Sequence, residues 1–264
     1  MFGKIKSYFF KACVATGEYV VAIADVCNAT IKRPPKWRLL REQFFNIGVL
    51  SFFVVTITGL STGIVLAAQS FYQLSDKGLA SLTGLMVAKA MIAELGPVLT
   101  AFMVTGRVGS AMCAEIGTMK VTEQIDALKS MAVNPNSYLM APRFIAGITM
   151  MPILTIYSTI MGIFGGYIIS CHFFGMASSD YFYPMPQHIT MFDVHTCLIK
   201  AALFSVIFIT VCCYKGFNAK GGAAGVGKAT TESVVISYIC ILIADFLLTI
   251  ALNSIYQEIL FDRR

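Results

Sequence analysis

The sequence has little charge for its length. Asp, Glu, Lys and Arg make up 13% of its 264 residues, whereas 57% are hydrophobic. An ordinary soluble domain carries about 25% charged residues, and a soluble chain of this size could not enclose so much apolar surface in its core. The hydrophobic residues must therefore face lipid, which excludes a soluble globular protein.

Long stretches of the chain lack any charged residue. Residues 43–75 and 144–179 contain no Asp, Glu, Lys or Arg. A helix of about 20 apolar residues crosses the roughly 30 Å hydrocarbon core of a bilayer, because each residue adds about 1.5 Å. The sequence therefore predicts an all-α membrane protein with a transmembrane bundle over residues 44–256. The five predicted spans are residues 44–71, 79–104, 144–173, 192–214 and 234–256.

Basic residues are scarce in two of the predicted loops. The loop after the first span and the loop 174–190 contain one basic residue, Lys77, whereas eight basic residues precede residue 44. Cytoplasmic loops carry an excess of Lys and Arg, so we expect a cytoplasmic N-terminus and an external C-terminus, although Arg263 and Arg264 mildly oppose this orientation. The basic flank predicts no nucleic-acid surface, because the rest of the chain lies in lipid.

The N-terminal region lacks the uninterrupted apolar core of a signal peptide. Lys11, Glu18 and Asp25 interrupt every candidate stretch, and such a core requires about 7–15 apolar residues. Residues 2–29 mix apolar and charged side chains. They predict an amphipathic helix at the cytoplasmic membrane face, within an interfacial segment over residues 1–43.

The sequence also lacks a catalytic or metal-binding constellation. His172, His188 and His195 have no partners at the spacing of metal ligands, and no CxxC pair occurs. Residues 222–229 nearly match the phosphate-binding loop GxxxxGK[ST], but Ala229 replaces the hydroxyl residue that should hold Mg²⁺. We therefore expect neither an enzyme nor a bound cofactor, and a flexible cytoplasmic turn at these glycines.

Small residues recur at the spacing of helix packing. Gly59 and Gly63 form a GxxxG pattern, as do Gly162 and Gly166. Such residues allow two helix backbones to approach closely. The pattern is compatible with packing within one chain and with packing across a homodimer.

An amphipathic stretch follows the second predicted span. Within residues 115–131, charged residues alternate with an apolar stripe, and Pro135 follows soon after. This pattern predicts a cytoplasmic amphipathic helix. The helix could rest on lipid headgroups or dock to a cytoplasmic partner. Its apolar stripe consists of Ile116, Met119, Ile125 and Leu128.

Four ionisable residues interrupt the predicted spans, namely Lys89, Glu94, Lys200 and Asp245. Each is costly in hydrocarbon and should face the protein interior or a water-filled cavity. Glu94 stands beside Pro97, which lacks a backbone donor and predicts a kink. A carboxylate at a kink could line a substrate path, or it could belong to a structural ion pair.

The run GPVLTAFMVTGRVGSAMCAEIGTMKVTEQIDALKSMAVNP at residues 96–135, with the preceding Glu94-Leu95, closely resembles the MlaE/YrbE family of permeases. The similarity extends over nearly the whole chain. It implies a single permease domain over residues 1–264 with a coupling helix at residues 113–131. It further implies a homodimeric membrane subunit of an ABC lipid transporter, with cytoplasmic ATPase subunits that bind ATP and Mg²⁺ and an external MCE-domain protein. The implied substrate is phospholipid moving between inner and outer membranes.

The resemblance also assigns roles to individual residues. The implied lipid contacts are Leu66, Gln69, Glu94 and Leu95. The implied ATPase-coupling residues are Glu115, Ile116, Met119, Glu123, Asp126 and Leu128. Family members often carry Arg before the glutamate of the ELGP motif, whereas Ala93 stands there in this chain, so a basic contact to the lipid headgroup is lost or moved.

The implied location is the inner membrane of a Gram-negative-type cell, with the plastid inner envelope ranked second.

Two other functions compete with lipid transport. A secondary transporter could use Glu94, Asp245 and Lys200 as an ion relay and would need neither ATP nor partners. A membrane scaffold would bind no lipid. The coupling-helix motif argues against the first alternative, and the charged, kinked second span argues against the second.

Overall fold

The computed structural model describes residues 36–261 together with Gly17, and the predicted interfacial helix at residues 2–29 lies outside these residues. No strand occurs in the described part of the chain. Five helical segments are long and apolar enough to cross a membrane. The predicted all-α membrane architecture with five spans is therefore confirmed. The segments are span 1 (Trp37–Ser75), span 2 (Ala80–Val121), span 3 (Tyr138–Phe173), span 4 (Met191–Phe217) and span 5 (Gly222–Tyr256).

Spans 1 to 3 are not uniform α-helices. Their α-helical parts are Trp37–Ile47, Phe52–Ser75, Thr83–Ala90, Gly96–Val104, Ser110–Val121 and Ala141–Ile168. Short 3₁₀ turns cover Val49–Ser51 and Ala80–Leu82, and π-helical turns cover Met91–Leu95, Thr105–Gly109, Asn136–Met140 and Ile169–Phe173. Spans 4 and 5 are continuous α-helices, and the helix of span 5 continues to Phe261. Short helices outside the spans cover Gln124–Ser130, Ser178–Phe182 and Met185–His188.

Span 5 begins earlier than its hydropathy predicts. The glycine-rich residues after Gly222 are helical, so the predicted flexible turn is wrong there and is limited to Gly221 and Gly222, which have positive φ. Val226 packs against Gly117 of span 2, where an added Cβ would lie 3.1 Å from it. Packing of this kind outweighs the low helix propensity of glycine.

Spans 1 and 3 pack along their small residues. A Cβ on Gly59 would lie 2.7 Å from the carbonyl oxygen of Ser158, and a Cβ on Gly63 would collide with the carbonyl of Gly162. The GxxxG pattern of span 1 therefore serves packing within the chain, which was one of the two interpretations of the pattern, the other being packing across a homodimer.

Span 4 lies at the centre of the bundle and contacts spans 2, 3 and 5. Its large side chains Phe204, Phe208 and Ile209 are fully buried. Span 5 packs on spans 2 and 4, while most of its apolar side chains remain exposed within a single chain. These exposed residues are Val235, Ile239, Leu242, Ile243, Phe246, Leu247 and Ile250.

The stretch 115–131 is two helices, whereas the sequence predicted one. Span 2 continues to Val121, well beyond the predicted end at residue 104, and a separate helix covers Gln124–Ser130. Between them Glu123 adopts a left-handed conformation with φ 60°. A non-glycine residue pays about 1–2 kcal/mol for this conformation, which sequence periodicity does not reveal.

Candidate functional site

The predicted kink in span 2 is a π-helical turn. The turn Met91–Leu95 is closed by a hydrogen bond from the N–H of Gly96 to the carbonyl oxygen of Met91. Pro97 has no N–H and cannot donate to the carbonyl of Ala93 four residues earlier. Instead, the Nζ atom of Lys200 donates to this carbonyl at 3.0 Å. The irregular turn thus presents an oxygen to a cation from span 4.

Lys200 joins spans 2, 4 and 5 through its ammonium group. Its Nζ atom lies 2.8 Å from Oε2 of Glu94, 2.9 Å from Oδ1 of Asp245 and 2.8 Å from Oγ1 of Thr249. The hydroxyl of Thr249 donates to Oε1 of Glu94 at 3.1 Å. We call these four residues the Lys200 cluster. An ammonium has three N–H donors, and here they bond to oxygens of Ala93, Glu94 and Thr249. Oδ1 of Asp245 makes an ionic contact with Lys200 but no hydrogen bond.

The Lys200 cluster combines deep burial with an open side. The side chain of Lys200 is 1% exposed, that of Asp245 is 17% exposed and that of Glu94 is 41% exposed. An isolated buried ammonium would be strongly unfavourable, and the two carboxylates compensate it. With both ionised, the cluster carries one net negative charge, and Glu94 presents part of it at the surface of the bundle.

The structure pairs Glu94 with Lys200 and leaves Lys89 exposed. Three of the four ionisable residues found in the sequence therefore come together. Thr249 completes the cluster and was missed by the sequence reasoning. The available signal was its spacing, because a residue four positions after Asp245 lies on the same helix face.

Beside Glu94, spans 1 and 2 form a groove with a volume of about 380 Å³. Leu66 and Leu95 supply apolar wall, and Gln69 supplies a polar group. Three of the four residues predicted to contact lipid, namely Leu66, Gln69 and Leu95, thus line one groove. Glu94 is not part of this lining, but it is the chain neighbour of Leu95. The full lining is Ser61, Thr62, Val65, Leu66, Gln69 and Leu95.

The residues predicted to couple to an ATPase fall into two groups. Ile116 and Ile125 are fully buried, and Met119 and Leu128 are partly buried against the main core. The apolar stripe of residues 115–131 therefore faces the bundle and not the headgroups. These four side chains can support a docking surface but are largely covered by the chain itself.

The charged members of this group are more accessible. Glu115 accepts a hydrogen bond from the buried Arg143 of span 3 at 2.7 Å, and Glu123 is exposed. Asp126 pairs with Lys120 at 2.9 Å and with Lys129 at 3.4 Å. The hydrogen bond from Lys120 lowers the pKa of the Asp126 carboxyl, although desolvation opposes this effect. Among residues 36–261, Glu123 is thus the predicted coupling charge that forms no ion pair and is not covered by other side chains.

Within the described residues, no group of three or more His, Cys, Asp or Glu side chains is placed to hold a metal ion. The near match to a phosphate loop is helical from Gly222 onward. The positive features of the site are the groove, whose lining combines Leu66 and Leu95 with Gln69, and the Lys200 cluster beside it.

Comparison with known proteins agrees with these features. Residues 40–251 match the family described as Permease MlaE. A probable ABC transporter permease protein of Rickettsia typhi is 40% identical over 245 residues, which cover 93% of this chain and 95% of the relative.

Two further relatives come from other lineages. The intermembrane phospholipid transport system permease protein MlaE of Haemophilus influenzae is 37% identical over 80% of this chain and 81% of its own. The chloroplastic protein TRIGALACTOSYLDIACYLGLYCEROL 1 of Arabidopsis thaliana is 34% identical over 87% of this chain and 65% of its own. The family match extends from span 1 into span 5, and this chain belongs to the MlaE permease family.

Proposed function

We propose that this chain is the permease subunit of an ABC transporter that moves phospholipids between two membranes. The observation that carries the proposal is the groove of spans 1 and 2 beside Glu94. Its apolar wall suits acyl chains, and its polar groups and the neighbouring carboxylate suit a headgroup. The name of the Haemophilus relative supports the same substrate class.

The proposed assembly contains two copies of the chain. Span 5 exposes a row of large apolar residues, including Ile243 and Phe246, and the groove is open along one side of a single chain. A second copy would cover part of this surface and enclose the groove, so that a lipid could leave the bilayer inside the dimer. The proposed homodimer therefore makes the groove a cavity.

The energy source lies in partner subunits under this proposal. The chain's own glycine-rich segment is a helix with Ala229 where a hydroxyl is needed, so ATP and Mg²⁺ would bind to separate ATPase subunits. The exposed Glu123 at the junction between span 2 and the helix Gln124–Ser130 is the proposed contact. The basic-residue distribution supports a cytoplasmic position for this junction and for the N-terminus.

An external MCE-domain protein is the proposed partner on the other side of an inner membrane. The loop between spans 3 and 4, with its helices Ser178–Phe182 and Met185–His188, would face it. Tyr181 anchors this loop, because its side chain is fully buried and its hydroxyl donates to the carbonyl of Ile163 at 2.9 Å.

One purification and one transport assay test the function. The tagged chain is extracted mildly from its native membrane, and the accompanying proteins and lipids are identified. We expect an ATPase and phospholipid to co-purify with the chain. We also expect the purified complex to transfer labelled phospholipid between reconstituted membranes, and this transfer should require ATP hydrolysis. The second candidate function is an ion-coupled secondary transporter, which the Lys200 cluster favours because its charged groups could serve as an ion relay. Transfer driven by an ion gradient without ATP would support that candidate and contradict the proposal.

A further inference from the structure

The first helix of span 1 and span 3 enclose an apolar cleft, separate from the groove of spans 1 and 2. The cleft has a volume of about 400 Å³, within the range of small-molecule sites. It shares no residue with the groove. Its lining consists of Arg41, Phe44, Phe45, Gly48, Val49, Phe52, Met150, Ile153 and Leu154.

Two close contacts build the walls of this cleft. Gly48 ends the first helix, and an added Cβ there would lie 2.8 Å from the carbonyl oxygen of Phe44 and 2.9 Å from Sδ of Met150. One helical turn later, the ring of Phe52 stacks on Tyr157 of span 3 with 4.0 Å between centroids. Ile153 remains 57% exposed, so the cleft opens sideways toward the bilayer.

The cleft has a cation at one end and apolar side chains elsewhere. Among residues 36–261, Arg41 is the one charged residue of the lining, and no carboxylate of these residues forms an ion pair with it. Glu42, the next residue, points about 100° away around the helix. A guanidinium binds a phosphate group through two parallel hydrogen bonds. The cleft thus has a cation at one end and apolar walls beyond it, which matches a phospholipid, in which a phosphate is followed by acyl chains.

We propose that this cleft is a second lipid-binding site, which holds a phospholipid by its phosphate on Arg41 and by one acyl chain between Phe45 and Ile153. Residues 1–35 precede the first helix of span 1 in the chain and are the competing occupant of the cleft. They carry five basic residues (Lys4, Lys6, Lys11, Lys32 and Arg33) and two acidic ones (Glu18 and Asp25), so their net positive charge would oppose binding beside Arg41. The site requires no transport activity and is independent of the proposed function.

A photoreactive amino acid placed at Ile153 of the full-length chain in native membranes tests this site. Ile160, on the same span and also 57% exposed, lies outside the cleft lining and is the control position. We expect phospholipid adducts to be several-fold more abundant at position 153. Arg41→Gln should reduce them about tenfold, since one charge-assisted contact is lost, and Arg41→Lys should restore part of the yield.

Three results would overturn the proposal. The first is equal lipid labelling at both positions without dependence on Arg41, which would mean contact with bulk bilayer. The second is an adduct with a peptide from residues 1–35, and the third is an adduct with a second copy of the chain. If Arg41→Gln lowers the yield of folded protein, the ratio of adducts at positions 153 and 160 in the Arg41→Lys variant still decides the matter.

Discussion

The Nζ atom of Lys200 lies 2.8 Å from Oε2 of Glu94, although 106 positions separate the two residues along the chain. The same atom donates to the carbonyl of Ala93, which Pro97 cannot satisfy. The irregular turn in span 2 and the buried cation of span 4 therefore depend on each other. The pair fixes the position of Glu94 beside the groove that we assign to lipid.

Removing the cation should destabilise the bundle. Lys200→Met leaves two carboxylates without their cation and the carbonyl of Ala93 without its donor. Breaking a buried ion pair costs about 3–5 kcal/mol, and we expect roughly 2–3 kcal/mol here because Glu94 is 41% exposed. Thermal unfolding in detergent would show a lower midpoint for Lys200→Met and little change for Lys89→Met, whose side chain is exposed. An equal shift for both variants would contradict this account of the Lys200 cluster.

The approach of spans 1 and 3 should tolerate no side chain at Gly63. Gly63→Ala would place a methyl group against the carbonyl of Gly162 and should reduce the yield and thermal stability of folded protein. Gly227→Ala is the matched control, because nothing lies within 4 Å of its added Cβ. Since alanine favours a helix over glycine by about 1 kcal/mol, the control should be neutral or slightly stabilising. Similar losses for both variants would argue against close packing at Gly63.

Glu123 should contribute to ATPase binding more than its neighbours. Glu123→Lys reverses an exposed charge without breaking an ion pair of the described structure, so the permease should stay folded. A docking charge left unpaired costs about 2–5 kcal/mol, and we expect co-purification with the ATPase to fall at least tenfold.

The control for Glu123 is Asp180→Lys, which changes the same charge in the loop between spans 3 and 4. Glu115 and Asp126 are poorer test positions, because both already pair with basic residues of the chain. Unchanged ATPase association and ATP turnover in Glu123→Lys would refute the proposed contact.

Much of the fold follows from the sequence because lipid imposes simple rules. Charge-free runs near Thr56 and Tyr157 lie in spans 1 and 3, as length and composition require. The helix of span 2 runs on to Val121, beyond the end near residue 104 that Arg107 and Lys120 suggested. The structure instead satisfies Arg107 inside the bundle, through the hydroxyl of Ser51 and the carbonyl of Asn46.

The site was less predictable, since it depends on contacts between distant positions. The sequence identified Glu94, Lys200 and Asp245 as costly residues but did not show that they meet. Periodicity located the apolar stripe with Ile116 but could not show that span 4 covers it. Gly216 of span 4 provides one contact of this cover, because a Cβ added to it would lie 2.9 Å from the Cβ atom of Ile116.

Lipid crosslinking inside the groove tests the central claim most directly. Photoreactive residues at Leu66 and Leu95 are compared with one at Ile199, an exposed position next to Lys200 and therefore at about the depth of Glu94. We expect strong phospholipid adducts at Leu66 and Leu95 and weak ones at Ile199. The Glu94→Gln variant, which keeps Lys200 paired with Asp245, should give a lower yield of these adducts and slower lipid transfer. Equal labelling at all three positions, with transfer unaffected by Glu94→Gln, would mean that these residues only touch bulk bilayer and would contradict the assignment.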